Sequence, residues 1–135
     1  MDTAALLTRL VELIDAHDWD ALPVARQEAV FASWPGPNTW IVPATGRVPH
    51  WITGAHDGVA VRVSAHPTVI ALCAAFGGPM VSTSANPAGA PPPHALDAFD
   101  PAMQAALDGV VAGNTDGLER PTVIRDARSG VALRT

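Results

Sequence analysis

Val59-Ala60-Val61-Arg62-Val63, followed by His66-Pro67 and an apolar run to Phe76-Gly77-Gly78, is the stretch that decides the fold. Val59, Val61 and Val63 alternate with Ala60 and Arg62, so the first five residues read as a strand with its valines on one face. Pro67 suits the first turn of a helix, and Gly77-Gly78 suits its end. A strand feeding a helix in this way predicts an α/β chain.

Upstream, Thr39 to Val42 reads as a short strand and Pro43 to Gly58 as loop, with turn residues at Gly46, Pro49 and Gly54. A helix is expected from Pro23 to about Ala32, broken by Trp34-Pro35-Gly36-Pro37. Leu6, Leu7, Leu10, Val11, Leu13 and Ile14 recur at helical spacing near the start. Downstream, Met80 to Ser82 reads as an apolar strand that runs into hydroxyls, and Pro87 to Pro93 as irregular. Asp100-Pro101 resembles a cap and first turn of a helix ending near Gly109. Thr122 to Asp126 and Val131 to Arg134 read as two strands turning at Ser129-Gly130. With no internal repeat and no linker, residues 1–135 are expected to form one α/β domain with a mixed sheet.

Composition excludes several classes. The 135 residues hold one cysteine, Cys73, so neither an internal disulfide nor a cysteine-cluster zinc site can form. His17, His50, His56, His66 and His94 show no metal-ligand spacing. All eight basic residues are arginine, which removes any phosphate loop or Schiff base that needs lysine. The net charge of −5 argues against strong non-specific nucleic-acid binding. Charge is uneven, however: residues 1–119 balance at −8 and residues 120–135 at +3. No apolar run approaches the roughly eighteen residues of a membrane span, and no basic segment precedes an apolar one at the N-terminus. A cytoplasmic protein is the expectation.

Three features carry chemistry. Ser82-Thr83-Ser84-Ala85-Asn86, with Gly89 behind it, places hydroxyls and an amide at the end of the expected strand, where α/β sheets tend to bind ligands. These groups suit phosphate or carboxylate oxygens, or they cap their own loop. Arg62 either snorkels onto a solvated face or offers a bidentate fork to an anion. Asp57 and Asp126 are its possible structural partners. Arg134, with Thr122 in the same expected hairpin, either belongs to a solvated terminus or extends the anion site. Trp34, Trp40 and Trp51 read as core or loop-packing residues, His66 as the residue that starts a helix, and Cys73 as a buried thiol. A serine hydrolase lacks its usual nucleophile elbow here.

Taken in order, Trp34-Pro35-Gly36-Pro37-Asn38-Thr39, Trp51-Ile52-Thr53-Gly54, Val59 to Val63 with His66-Pro67, Ser82 to Asn86 with Gly89, and Pro121-Thr122-Val123-Ile124-Arg125-Asp126 with Leu133-Arg134 resemble the threonylcarbamoyl-AMP synthase (YrdC-like) family. The likeness runs from about residue 20 to the end. It implies a YrdC-like α/β domain, a twisted mixed sheet with flanking helices. It also implies a nucleotidyltransferase that joins L-threonine, bicarbonate and ATP into threonylcarbamoyl-AMP and pyrophosphate, for tRNA threonylcarbamoyladenosine biosynthesis. Mg²⁺ is expected on the phosphates, with no protein metal ligand and no covalent nucleophile.

By position in the family's motifs, Arg62, Ser84 and Thr122 would hold L-threonine, and Asn86 and Arg134 would contact ATP. Gly58 and His94 stand where the family usually has hydroxyl residues. The family's opening segment carries a Tyr-Pro-Thr-Glu-like and a Lys-x-Arg motif, and this chain has neither tyrosine nor lysine. The resemblance therefore implies an N-terminally truncated domain, the C-terminal two-thirds of the family's, with weak or no activity alone. A non-catalytic remnant that binds nucleotide or RNA is the alternative. Partnership with the tRNA-modification machinery follows from the family, and the acidic balance makes any direct binding of tRNA or double-stranded RNA weak.

Overall fold

The computed structural model describes residues 18–82, 85–86, 89–93, 95–113 and 122–134. The helix expected near Leu6 to Ile14, together with Ser84 and His94, lies outside them. Two compact units emerge, one built from residues 1–79 and 122–135, the other from residues 80–121.

The first unit carries a four-stranded sheet. Its strands are β1 (Asn38–Pro43), β2 (Gly58–Val61), β3 (Val123–Asp126) and β4 (Ala132–Arg134). Their order is β2-β1-β3-β4. β1 pairs antiparallel with β2 and parallel with β3, while β3 and β4 form an antiparallel hairpin. This is the mixed sheet that the sequence predicts. Helix α1 (Val24–Ala32) begins one residue after Pro23, and α3 (Pro67–Phe76) has its expected bounds. The α3 cap is local chemistry: His66 Nδ1 accepts from the Thr68 amide at 3.1 Å, and Gly77 closes the helix at φ +89°.

The core lies on one face of the sheet. In β1, Trp40 and Val42 are buried, and their partners across the ladder are Val61 and Val59. Trp19, Leu22, Val30, Trp34 and Ala127 complete the cluster. Trp19 stacks tilted on Phe31 at 4.7 Å and meets Trp34 edge-on at 6.2 Å. These large rings each bury a large apolar area in the core. Trp34 and Trp40 are thus core residues as expected, but Trp51 is 75% exposed. It sits on α2 (His50–Thr53), a single turn opened by Pro49 inside the stretch expected to be loop. Cys73 is half-buried rather than buried.

Strand β2 stops at Val61, two residues before the expected end. The Asn38 amide, next in line to bond to Val63, donates to the Gly36 carbonyl at 2.9 Å, and the Gly36 amide instead donates to the Val63 carbonyl at 2.8 Å. The valine alternation persists beyond the strand: Val61 and Val63 pack against the core, while Ala60 and Arg62 are exposed.

In the second unit Met80 to Ser82 is not a strand. The three residues are irregular and exposed. A strand exists only with a ladder partner, and apolar character alone does not supply one. The Asp100 cap forms as expected, its Oδ2 accepting from the Met103 amide at 2.9 Å, but helix α4 (Pro101–Ala105) ends well before Gly109. No residue of α4 is buried, so no packing extends it past one turn. A shallow apolar cavity of about 190 Å³ lies among Ala85, Pro93, Leu96, Phe99, Val110 and Val111.

Candidate substrate-binding face

The face of the sheet opposite the core carries the chemistry of the first unit. Alternation turns Thr39 and Ile41 away from the buried Trp40 and Val42. Thr39 is the register partner of Ile124 in β3, so Thr122, two residues earlier, shares its face. The Thr39 and Thr122 hydroxyl oxygens lie 3.0 Å apart and are hydrogen-bonded. Thr39 is therefore tied to a second hydroxyl on the β3 side. Arg62 follows Val61, the β2 residue paired with Trp40, and is exposed; β2 ends before it.

The start of β1 is held from below. Ser33 Oγ accepts from the Trp40 indole at 2.8 Å and donates to the Val30 carbonyl at 2.6 Å. Asn38 Nδ2 donates to the Ser33 carbonyl at 3.1 Å, and the Trp34 indole donates to the Asn38 carbonyl at 2.8 Å. The Trp-Pro-Gly-Pro segment is thus a rigid clip, and it fixes the backbone on either side of Thr39.

Neither expected carboxylate partners Arg62. Asp57 faces Arg128 at 3.3 Å, and Asp126 Oδ1 accepts from the Arg128 amide at 2.8 Å. Among the described residues Arg62 makes no hydrogen bond or ion pair. An exposed, unpartnered guanidinium can bind a carboxylate or phosphate bidentately. Arg134 lies in β4 with its backbone opposite Ile124. In the second unit, Asn86 Nδ2 donates to the Ala90 carbonyl at 2.8 Å, the local loop capping that an asparagine there allows. Ser84 lies outside the described residues.

Gly58 has a packing reason. A Cβ there would sit 2.8 Å from Ile41 Cγ2 and 3.2 Å from the Val42 carbonyl oxygen. A hydroxyl residue at this position therefore requires the Ile41 side chain or the β1 backbone at Val42 to shift. Sequence reading missed Thr39 as a functional candidate. Its partner is 83 positions away, and only the parallel β1–β3 register joins them. Among the described residues no group of three or more His, Cys, Asp or Glu could hold a metal ion, and no helix is long and apolar enough to cross a membrane.

Comparison with known proteins shows what the chain is similar to. The Sua5/YciO/YrdC family model, described as "Telomere recombination", matches residues 5–135. The chain is 62% identical over 122 residues to a protein of Xanthomonas euvesicatoria pv. vesicatoria named threonylcarbamoyl-AMP synthase, covering 90% of this chain and 65% of that one. A Stenotrophomonas maltophilia protein of the same name is 59% identical over 127 residues, covering 92% and 68%. The chain thus spans about two thirds of the length of these curated relatives. Among solved structures, a substituted P. abyssi Sua5 superposes with a TM-score of 0.79 at 25% identity, over 90% of this chain and 37% of that one. P. abyssi Sua5 complexed with L-threonine superposes with a TM-score of 0.68 at 26% identity, over 85% and 34%. By the match of nearly its whole length and by its identity to these relatives, the chain belongs to the Sua5/YciO/YrdC family.

Proposed function

We propose that this chain serves L-threonylcarbamoyl-AMP synthesis in the cytoplasm, binding L-threonine on the face that carries Arg62, Thr39 and Thr122. The observation that carries the proposal is the 62% identity to a protein named for that activity. The exposed, unpartnered Arg62 supports it, because an amino-acid carboxylate needs a cation.

The reaction asks little covalent chemistry of the protein. The amine of L-threonine takes up CO2 drawn from bicarbonate, forming an N–C bond and releasing water. A carbamate oxygen then attacks the α-phosphorus of ATP. The bond to the bridging oxygen breaks, and pyrophosphate leaves with its electron pair. Holding two anions in line and neutralising the developing charge accounts for most of the barrier reduction. Arg62 neutralises the substrate carboxylate, and Thr122 orients it. Ser84 is assigned to threonine, and Asn86 and Arg134 to ATP, by resemblance alone. Mg²⁺, when bound, would sit on the nucleotide's phosphates and screen their charge. The product would serve tRNA threonylcarbamoyladenosine formation by partner enzymes.

The test uses the 135-residue chain with ATP, Mg²⁺, L-threonine and ¹³C-bicarbonate, read by mass spectrometry. Threonine-dependent appearance of a ¹³C-labelled adenylate, slower than for the Xanthomonas relative, is expected. Threonine binding without any labelled adenylate would favour a non-catalytic binding domain. Absence of both would overturn the proposal.

A further inference from the structure

We infer that the exposed indole of Trp51 seats in the apolar cavity of a second copy of this chain, so that the protein self-associates through a tongue and a socket. The inference stands apart from the reading of the threonine site.

The tongue is built to present its ring. Pro49 opens α2, and its carbonyl accepts from the Ile52 and Thr53 amides at 2.9 and 3.3 Å. The Gly54 amide donates to the His50 carbonyl at 2.7 Å and closes the turn. The turn is thus held by its own backbone, and Trp51 is left 75% exposed. Its indole makes no hydrogen bond or ring contact among the described residues. A covered aromatic side chain buries about 150–250 Å². Tryptophan is also among the residues that most often dominate a protein contact.

The size of the socket selects its occupant. At about 190 Å³ it is smaller than the roughly 300 Å³ at which pockets for drug-sized ligands begin. It is larger than an engineered cavity of about 150 Å³ that takes up benzene. One ring-bearing side chain matches that scale. Leu96, Val110 and Val111 line the cavity and are exposed, and Phe99 beside them is half-buried.

Charge selects the same occupant. Residues 46–56 around the tongue hold Arg47, His50 and His56 and no carboxylate. The described residues of the second unit hold Asp97, Asp100 and Asp108 and no arginine. Asp97 and Asp100 directly follow the cavity residues Leu96 and Phe99. The ring is thus flanked by a cation and the socket by carboxylates, a complementarity that steers encounter and orientation. One tongue and one socket on each chain make the contact heterologous.

The test is sedimentation equilibrium of the full chain at protein concentrations from about 1 μM to 1 mM, for wild type, Trp51→Ala, Ala95→Phe and an equimolar mixture of the two variants. Ala95 lines the cavity, and phenylalanine there fills it. Wild type should show a mass that rises above the monomer with concentration. Each variant alone should weaken association by about thirtyfold or more, the weight of a dominant contact residue. Their melting temperatures should hold, because both positions are exposed. The mixture should regain association and stop at one chain of each kind, since one intact tongue then meets one intact socket. A wild type that stays monomeric throughout, a Trp51→Ala variant that associates like wild type, or folded variants whose mixture stays monomeric would each overturn the inference. Should Ala95→Phe fail to fold, Val111→Asp blocks the socket instead, from a position that is 60% exposed.

Discussion

Replacing Ser33 with alanine should loosen the clip beneath β1, and its cost can be worked from three atoms. Ser33 Oγ donates to the Val30 carbonyl at 2.6 Å, at the end of α1. It also accepts from the Trp40 indole at 2.8 Å. Trp40 is only 6% exposed, so water has poor access to its stranded N–H. Losing the first bond costs about 1 kcal/mol, and leaving the indole N–H unsatisfied adds about 1–3 kcal/mol. Ser33→Ala should therefore destabilise the fold by about 2–4 kcal/mol. Trp40→Phe removes the same N–H together with part of the ring. If the Ser33–Trp40 bond matters, the two changes cannot add: in the double variant the Ser33→Ala penalty should fall to about 1 kcal/mol, that of the Val30 bond alone. Urea unfolding of the four proteins, followed by tryptophan fluorescence and far-UV circular dichroism, reads the cycle. Equal m-values are needed for the comparison. Penalties that add within experimental error would refute the claim that this bond fixes the start of β1.

Two further perturbations separate packing from surface charge. Gly58→Ser should destabilise by about 1–3 kcal/mol, the usual cost of overpacking, because its Cβ would meet Ile41 Cγ2 at 2.8 Å; a thermal melt checks it. Arg128→Ala should change stability by less than about 1 kcal/mol, since its pair with Asp57 is 41% and 85% exposed. Raising salt should erase even that difference.

The parts of this fold that the sequence makes legible are the ones whose causes are local. Pro67 and Gly77 bound α3 because one suits a first turn and the other a left-handed residue. Asp100 caps α4 through its own side chain. Gly130, at φ +78°, lets the β3–β4 hairpin turn. The valine alternation at Val59 to Val63 foretells which face meets the core and leaves Arg62 outside it. Where the cause is a distant partner, the reading fails. Met80 to Ser82 has strand-like residues and no ladder. Asp57 was an apparent partner for Arg62, yet the chain returns 71 positions later to bring Arg128 against it. The Thr39–Thr122 bond is invisible until the parallel register is known. Trp51 defeats the rule that tryptophans beside turns belong to the core, because Pro49 starts a one-turn helix whose outer side it occupies.

The binding face itself is open to a single direct measurement. With selectively labelled protein, the Arg62 Nε–Hε signal and the methyl signals of Thr39 and Thr122 can be followed by nuclear magnetic resonance as L-threonine is added. Arg128, already paired with Asp57, serves as an internal reference. All three signals should shift along one saturating curve, with Arg128 unmoved, and Arg62→Ala should abolish the methyl shifts at the same threonine concentrations. L-threonine that saturates the protein while Arg62, Thr39 and Thr122 stay silent would show that this face is not where the substrate binds.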